Sequence, residues 1–237
     1  MINAVSSSMQ SSEFGLTDYW RMFKARGIKL PLNYFLQAHA FDLIHGTDTH
    51  KSAVNEEYLS NAKEVNFYTP YRCSWTKEIR IAFDVLREKF GDTFENYSFI
   101  DLGCGKGKAV LSWALFLKKS GLKQRLVGLD FYDPFIQVAN DNQRILGLFD
   151  DISFTCGDAM EFDYAGLGSK VIAYMYNPFD KGILRNVLAK LSKTDAVIIY
   201  NNPVHANEIR AAGYKPIWKK NGWHPNTQTM IFQKPFW

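Results

Sequence analysis

The chain has 237 residues, 46% hydrophobic and 15% aromatic, material for one large domain with a substantial core or one domain with an appended segment. Its 28 basic and 24 acidic residues leave a formal charge of +4, a mild balance that excludes the strongly basic footprint of a dedicated nucleic-acid binder. There is no secretory-type leader pattern, and the longest apolar run, 109–117, is about half of a bilayer span, so a soluble, cytoplasmic protein with no membrane partner is expected.

Residues 1–14, rich in Ser, Gln and Met without periodicity, read as a disordered or loosely attached tail. From 17 to 45 apolar residues recur at helical spacing: Tyr19, Trp20 and Phe23, then Tyr34, Phe35, Ala38 and Phe41. Pro31 is expected to divide them into two short helices. A turn is expected over 45–50. A further helix is expected over 75–89, with Ile79, Ala82, Phe83 and Leu86 on one face and Gly91 closing it.

Beyond residue 97 strands alternate with helices: strands at 97–102, 125–130, 152–156, 171–176 and 196–200, helices at 108–119, 133–146 and 183–191. That alternation predicts an α/β fold, a doubly wound, mostly parallel sheet covered on both faces. Two last strands, 214–218 and 228–233, are too close in sequence for a crossover helix, so they form an antiparallel terminal hairpin and complete a seven-stranded sheet. The expected organisation is the tail (1–14), a helical N-terminal cap or lid (15–90) and the α/β domain (91–237). Cys73, Cys104 and Cys156 lack pairing or zinc-type spacing and read as reduced thiols.

The functional signal lies in Phe99-Ile-Asp-Leu-Gly-Cys-Gly-Lys-Gly-Lys108. Gly103, Gly105 and Gly107 sit where a buried strand gives way to a helix, whose N-terminus offers free N–H groups to a ligand. A dinucleotide fingerprint would need its third glycine at position 108, which is Lys108. Asp101, at the strand's end, would repel a pyrophosphate. It suits a ligand with a positive group and no phosphate, such as the ammonium of a methionine moiety beside a sulfonium. Asp130, ending the next strand, is placed to accept from ribose hydroxyls, and Phe131 to pack on an adenine face. Asp158 is placed to accept from the adenine amino group while the Ala159 N–H donates to the ring.

These residues resemble class I, Rossmann-like S-adenosylmethionine-dependent methyltransferases. Asp101-Leu-Gly-Cys-Gly-Lys-Gly107 is similar to the first motif of that family, Asp130 to its ribose acid, and Gly157-Asp158-Ala159 to its adenine-binding turn. The resemblance covers about residues 68–233. It implies S-adenosylmethionine as cofactor, no metal, and a cofactor site of Tyr68, Asp101, Gly103, Cys104, Gly105, Gly107, Asp130, Phe131, Asp158, Ala159 and Asn177. Tyr68 is assigned to close over the methionine end.

In this family the end of the fourth strand faces the methyl acceptor, and here it reads Tyr174-Met-Tyr-Asn-Pro-Phe-Asp180. Amino-methylating members often carry [D/N]-P-P-[Y/F] there; this chain matches Asn177 and Pro178 and, one place early, Phe179. The resemblance therefore implies nitrogen methylation, with Asn177 orienting the acceptor and Tyr176 or Phe179 as walls; Asn177, Pro178 and Phe179 are the catalytic candidates. The alternative at that site is a strand-ending Asn-Pro turn with a core-facing Phe. The Asn-Pro-Phe form, with Tyr68-Thr-Pro70 and Asn202-Pro203, resembles a bacterial branch of the class.

Two rival functions remain at this level: a non-catalytic module that senses S-adenosylmethionine, and a nicotinamide-dependent oxidoreductase, which Lys108 opposes. No motif selects among protein side chain, nucleic acid and small molecule as acceptor, or fixes the oligomeric state. His45, Asp48 and His50 read as a structural turn rather than a metal site. His205 reads as a helix cap rather than an active-site base. Lys215, Lys219 and Lys220, interleaved with Trp218 and Trp223, read as a solvated hairpin rather than a phosphate-binding surface.

Overall fold

The computed structural model describes residues 16–50, 73–149 and 151–235. The expected tail and Tyr68 lie outside the described residues. The strands are β1 (Ser98–Leu102), β2 (Leu126–Asp130), β3 (Ile152–Cys156), β4 (Lys170–Tyr176), β5 (Asp195–Asn201), β6 (Lys215–Lys220) and β7 (Thr229–Gln233). The described helices are α1 (Leu16–Arg26), α2 (Lys29–Tyr34), α3 (Ala40–His45), α4 (Thr76–Phe90), α5 (Lys108–Ser120), α6 (Asp133–Ile145), α7 (Lys181–Leu191) and α8 (Ala206–Ala211).

One sheet runs in the order β3-β2-β1-β4-β5-β7-β6. Strands β1 to β5 pair in parallel, and β7 enters between β5 and β6, antiparallel to both. The order reverses between β1 and β4, which makes the carboxyl ends of these strands the crevice of the fold. The antiparallel hairpin is as the short connection requires. At the sheet edge Pro216 sits beside a register irregularity, where a residue without an N–H does least harm.

The sheet is apolar on both faces because both are covered. Ile100 and Leu102 of β1 join a core with Leu184, Val187 and Leu188 of α7 and Ile209 of α8. Phe99, pointing the other way, joins Ile79, Phe83 and Leu86 of α4 and Trp113 of α5. There Trp113 stacks on Phe99 at 4.3 Å and meets Phe83 edge-on at 5.0 Å. Such buried aromatic pairs add about 0.5–1.5 kcal/mol each beyond area burial.

The N-terminal helices depart from the expected division. The chain breaks at Gly27 (φ 65°), not at Pro31. Pro31 lies within the first turn of α2, where its missing N–H would have no helical partner and its fixed φ suits the helix. A π-helical turn, Phe35–His39, then leads into α3, which Gly46 ends in a left-handed conformation.

Candidate functional site

The glycine turn after β1 is stitched to β2. The N–H groups of Gly103 and Cys104 both donate to the Leu129 carbonyl, at 2.9 and 3.0 Å, and the Gly105 N–H donates to Asp130 Oδ2 at 2.8 Å. Gly103 has φ 74°, and a Cβ there would stand 2.8 Å from the Pro178 ring, so β4 closes on the turn only because the residue is glycine. At Gly107 (φ 85°) a Cβ would meet the Phe154 ring at 2.8 Å. The Cys104 thiol is buried, and burial, then the carboxylates of Asp130 and Asp101, hold it well above its ordinary range. Cys104 therefore presents no thiolate, and its backbone is already engaged, its N–H by the Leu129 carbonyl and its carbonyl by the Gly107 N–H.

Two carboxyl groups are buried beneath the turn. Asp130 accepts from the Gly105 N–H through one oxygen and from the Tyr132 N–H, at 3.0 Å, through the other. Burial nevertheless pushes it up to about 6. Asp101 is 4% exposed, and no described residue donates a hydrogen bond to it. Burial, and then the Asp130 charge, hold its carboxyl well above the usual carboxylate range. An acid held this way lacks a cation. The arrangement suits a ligand that brings one, together with hydroxyl donors for the remaining lone pairs of Asp130. This pair of buried carboxylate acceptors at the strand ends therefore fits S-adenosylmethionine.

The other candidates lie around this centre. Phe131 is half-buried beside Tyr132, with ring centroids 6.5 Å apart. The Gly157 N–H donates to the Asp130 carbonyl, which brings the turn after β3 alongside β2. In that turn Asp158 Oδ1 accepts from the Met160 N–H at 2.7 Å, and Ala159 is buried with its carbonyl accepting from Tyr164 Oη. At the end of β4 Asn177 holds a positive φ of 45°, and its Oδ1 accepts from the Tyr200 hydroxyl at 2.7 Å. Phe179 precedes the helix cap Asp180, whose carboxylate accepts from the Ile183 N–H at 2.9 Å, and packs against the core cluster that contains Leu184. The missing second proline thus coincides with a helix that starts directly after Phe179 and draws its ring coreward.

His205 stands at the N-cap position of α8, but its side chain makes no cap hydrogen bond. Its backbone N–H donates instead to the Tyr200 hydroxyl at 3.4 Å. The turn over 45–50 is organised by Asp42, which the sequence reading did not single out. This buried carboxylate accepts from the Thr47 and Thr49 hydroxyls, from the N–H groups of Thr49 and His50, and from His50 Nδ1.

The same turn is tied to the glycine segment. Lys106 Nζ pairs with Asp48 at 3.0 Å, and the Asn142 amide donates to the carbonyls of Asp48 and Lys106. Lys108 is buried and donates to the carbonyls of Gln37 and Ala38 at 2.6 and 3.1 Å. Two lysines opening a helix oppose its dipole, which signals in the sequence that their charge is committed elsewhere. Lys220 of the basic hairpin is also committed, to buried Glu78 at 2.5 Å.

A family model described as methyltransferase domain matches residues 93–212. No curated protein matches the sequence. Among solved structures, a protein of the NADB-Rossmann superfamily from Streptococcus agalactiae is 14% identical, with 69% of each chain covered and a TM-score of 0.51. A ribosomal protein L11 methylase from Lactobacillus delbrueckii subsp. bulgaricus is 14% identical, over 68% of this chain and 78% of that one, with a TM-score of 0.48. A predicted N6-adenine-specific DNA methylase from Listeria monocytogenes is 14% identical at a TM-score of 0.45; 60% of this chain is matched, and the match spans 47% of that chain's length. At such identity the first of these speaks to the fold alone. The matched segment holds the glycine turn and the strand-end acids, and with the seven-stranded sheet it places this chain in the methyltransferase-domain family, as a class I, S-adenosylmethionine-dependent enzyme.

Proposed function

We propose that the enzyme methylates a nitrogen acceptor presented to Asn177 at the end of β4. The observation that carries this reading is the polar relay from the His205 N–H through the Tyr200 hydroxyl to Asn177 Oδ1. It fixes the carboxamide and leaves its oxygen a second lone pair for an acceptor N–H. Tyr200 is no base at neutral pH, since burial pushes its phenol up to about 12. A site walled by amides and phenols suits an acceptor that arrives with its own lone pair, and a neutral amine is such a group.

In this reading Asp101 takes the ligand's ammonium, Asp130 the ribose hydroxyls, and Asp158 with the Ala159 N–H the adenine edge, with Phe131 against its face. Tyr68 is proposed to close over the methionine end. Bound S-adenosylmethionine supplies an electrophilic methyl on a sulfonium, so the protein's part is alignment and exclusion of water. Pro178, against Gly103, sets how near Asn177 stands to the glycine turn.

The test is incubation with methyl-labelled donor and fractionated cell extract, followed by alkali treatment of the labelled product. Labelled N-methyl amine in the hydrolysed product supports nitrogen; label released by alkali as methanol, or found on carbon, sulfur or an ether oxygen, would overturn the nitrogen assignment. Donor binding with no label in any fraction would make the chain a sensor module. Asn177→Ala is expected to lower methyl transfer on the order of 100-fold, the scale of a lost alignment, while donor binding changes only a few-fold. Unchanged transfer would remove Asn177 from the role given to it.

Donor affinity should also depend on pH. The Asp130 carboxyl of the free protein titrates at about 6, and ribose hydroxyls favour its ionised form. Asp130 therefore favours binding above that value and weakens it as pH falls through it, by at most about tenfold per unit on top of the dependence that Asp101 brings. Calorimetric titrations between pH 5 and pH 8, spanning the value of about 6, check this; a flat profile would show that Asp130 does not meet the ligand.

A further inference from the structure

Helices α1 and α2 leave a large apolar face outside the core. No residue of α1 is buried. Leu16, Trp20, Phe23, Ile28, Leu32 and Phe35 line one open trough. Leu16, Ile28 and Trp20 are 89%, 66% and 57% exposed. Single exposed apolar residues are ordinary, but a contiguous patch of this kind marks a surface that meets a partner.

The charges around the trough are predominantly positive. Between residues 16 and 36 stand Arg21, Lys24, Arg26 and Lys29, against the single acid Asp18, which is paired with Arg21 at 3.3 Å. At helical spacing Leu16, Trp20 and Phe23 share a stripe, and Lys24 and Arg26 flank it on either side. Lys24 lies over the Trp20 ring at 5.4 Å. Lys29 lies over Trp223, from the β6–β7 connection, at 4.7 Å, and Arg26 donates to the Trp223 carbonyl at 3.0 Å. Apolar and aromatic side chains with cations along their flanks are the composition of a helix that lies in a membrane interface.

We propose that the α1–α2 hairpin is a peripheral docking surface for an anionic lipid bilayer. Trp20, Phe23, Ile28 and Leu32 enter the headgroup–acyl boundary, and Lys24, Arg26 and Lys29 meet the phosphates. The expectation of no membrane partner rested on the lack of a spanning segment, and among the described residues no helix is long and apolar enough to cross a membrane. Peripheral attachment needs none. A second copy of the chain is a poorer occupant, because a two-fold contact through this face would set the same cations against one another. A nucleic acid is poorer too. It would leave Leu16, Ile28 and Leu32 uncovered, and Trp20 and Phe23 already stack on each other at 5.4 Å. The proposal stands apart from the role given to Asn177.

The test is co-sedimentation of the full chain with vesicles of mixed phosphatidylglycerol and phosphatidylcholine, and with vesicles of phosphatidylcholine alone. Pelleting with the first, little with the second, and release at high salt are expected. Trp20→Ser with Phe23→Ser should weaken partitioning on the order of tenfold or more. Lys24→Glu with Lys29→Glu should abolish the preference for anionic vesicles. Both double variants should bind S-adenosylmethionine as the parent does, which shows that they are folded. The absence of pelleting, or pelleting that the Trp20/Phe23 variant leaves intact, would overturn the proposal. So would a dimer in sedimentation velocity that the Trp20/Phe23 variant dissolves, since the face would then belong to a second copy.

Discussion

Asp101→Asn should bind S-adenosylmethionine on the order of 10- to 150-fold more weakly than the parent, and the free variant should be at least as stable as the parent. The first effect follows from exchanging a carboxylate for a neutral amide opposite a cation, at a site where no described protein group stands in for it. A hydrogen bond to a charged group contributes about 1.5–3 kcal/mol, which is that range of affinity. The second effect follows from the sign of the shift. The folded-state carboxyl is held above its unfolded value by burial and by Asp130, so ionising it costs stability at every pH above the unfolded value. Removing the charge removes that cost. The free variant's Tm should therefore be no lower than the parent's. Binding to the parent should also release a proton, visible as a calorimetric enthalpy that varies with the buffer. Parent-like affinity in Asp101→Asn would show that the ammonium is held elsewhere. A marked fall in free-protein stability would show that Asp101 is structural.

The contrast between Asp101 and Lys108 explains what the sequence made legible. The places of the glycine turn and of the acids at three strand ends were readable because each is set by local backbone: strand, turn, helix start. The antiparallel β7 was readable for a similar reason, a connection too short for a crossover. Lys106 and Lys108 were not, because their partners, Asp48 and the carbonyls of Gln37 and Ala38, lie 58 to 71 residues away along the chain. Asp42 carries no local signal, and only the fold places five donors around it. Pro31 misled because a proline signals a break but also suits a first helical turn, and Gly27 was the actual break. Phe179 was readable only as two options. The structure sets its ring against the core, and Tyr176 and the Asn177 carboxamide are the polar wall in the function proposed above.

Asp42→Asn should destabilise the protein by about 2–4 kcal/mol, an effect larger than that of Lys106→Met. Asp42 is 5% exposed. Burial alone would raise its carboxyl, but the hydrogen bonds from His50, Thr47 and Thr49 outweigh it and hold the group down at about 2. Against an ordinary aspartate near 3.8, that difference is about 2 kcal/mol of stability. It is present in full above the unfolded value and is lost as pH falls from about 4 to about 2. The asparagine adds a further cost, since its amide turns donor toward donors already in place and leaves one of them unsatisfied. At about 2–4 °C per kcal/mol the Tm falls by about 4–16 °C. Lys106→Met instead breaks a pair whose other member, Asp48, is 38% exposed and is rehydrated, so about 1 kcal/mol is expected. Thermal unfolding at neutral pH and at pH 3 separates the cases: the penalty for Asp42→Asn should shrink in acid, where the parent has begun to lose the same interaction. A penalty independent of pH would mean that the ionised carboxylate is not what holds the turn, and with it Asp48, against the glycine segment.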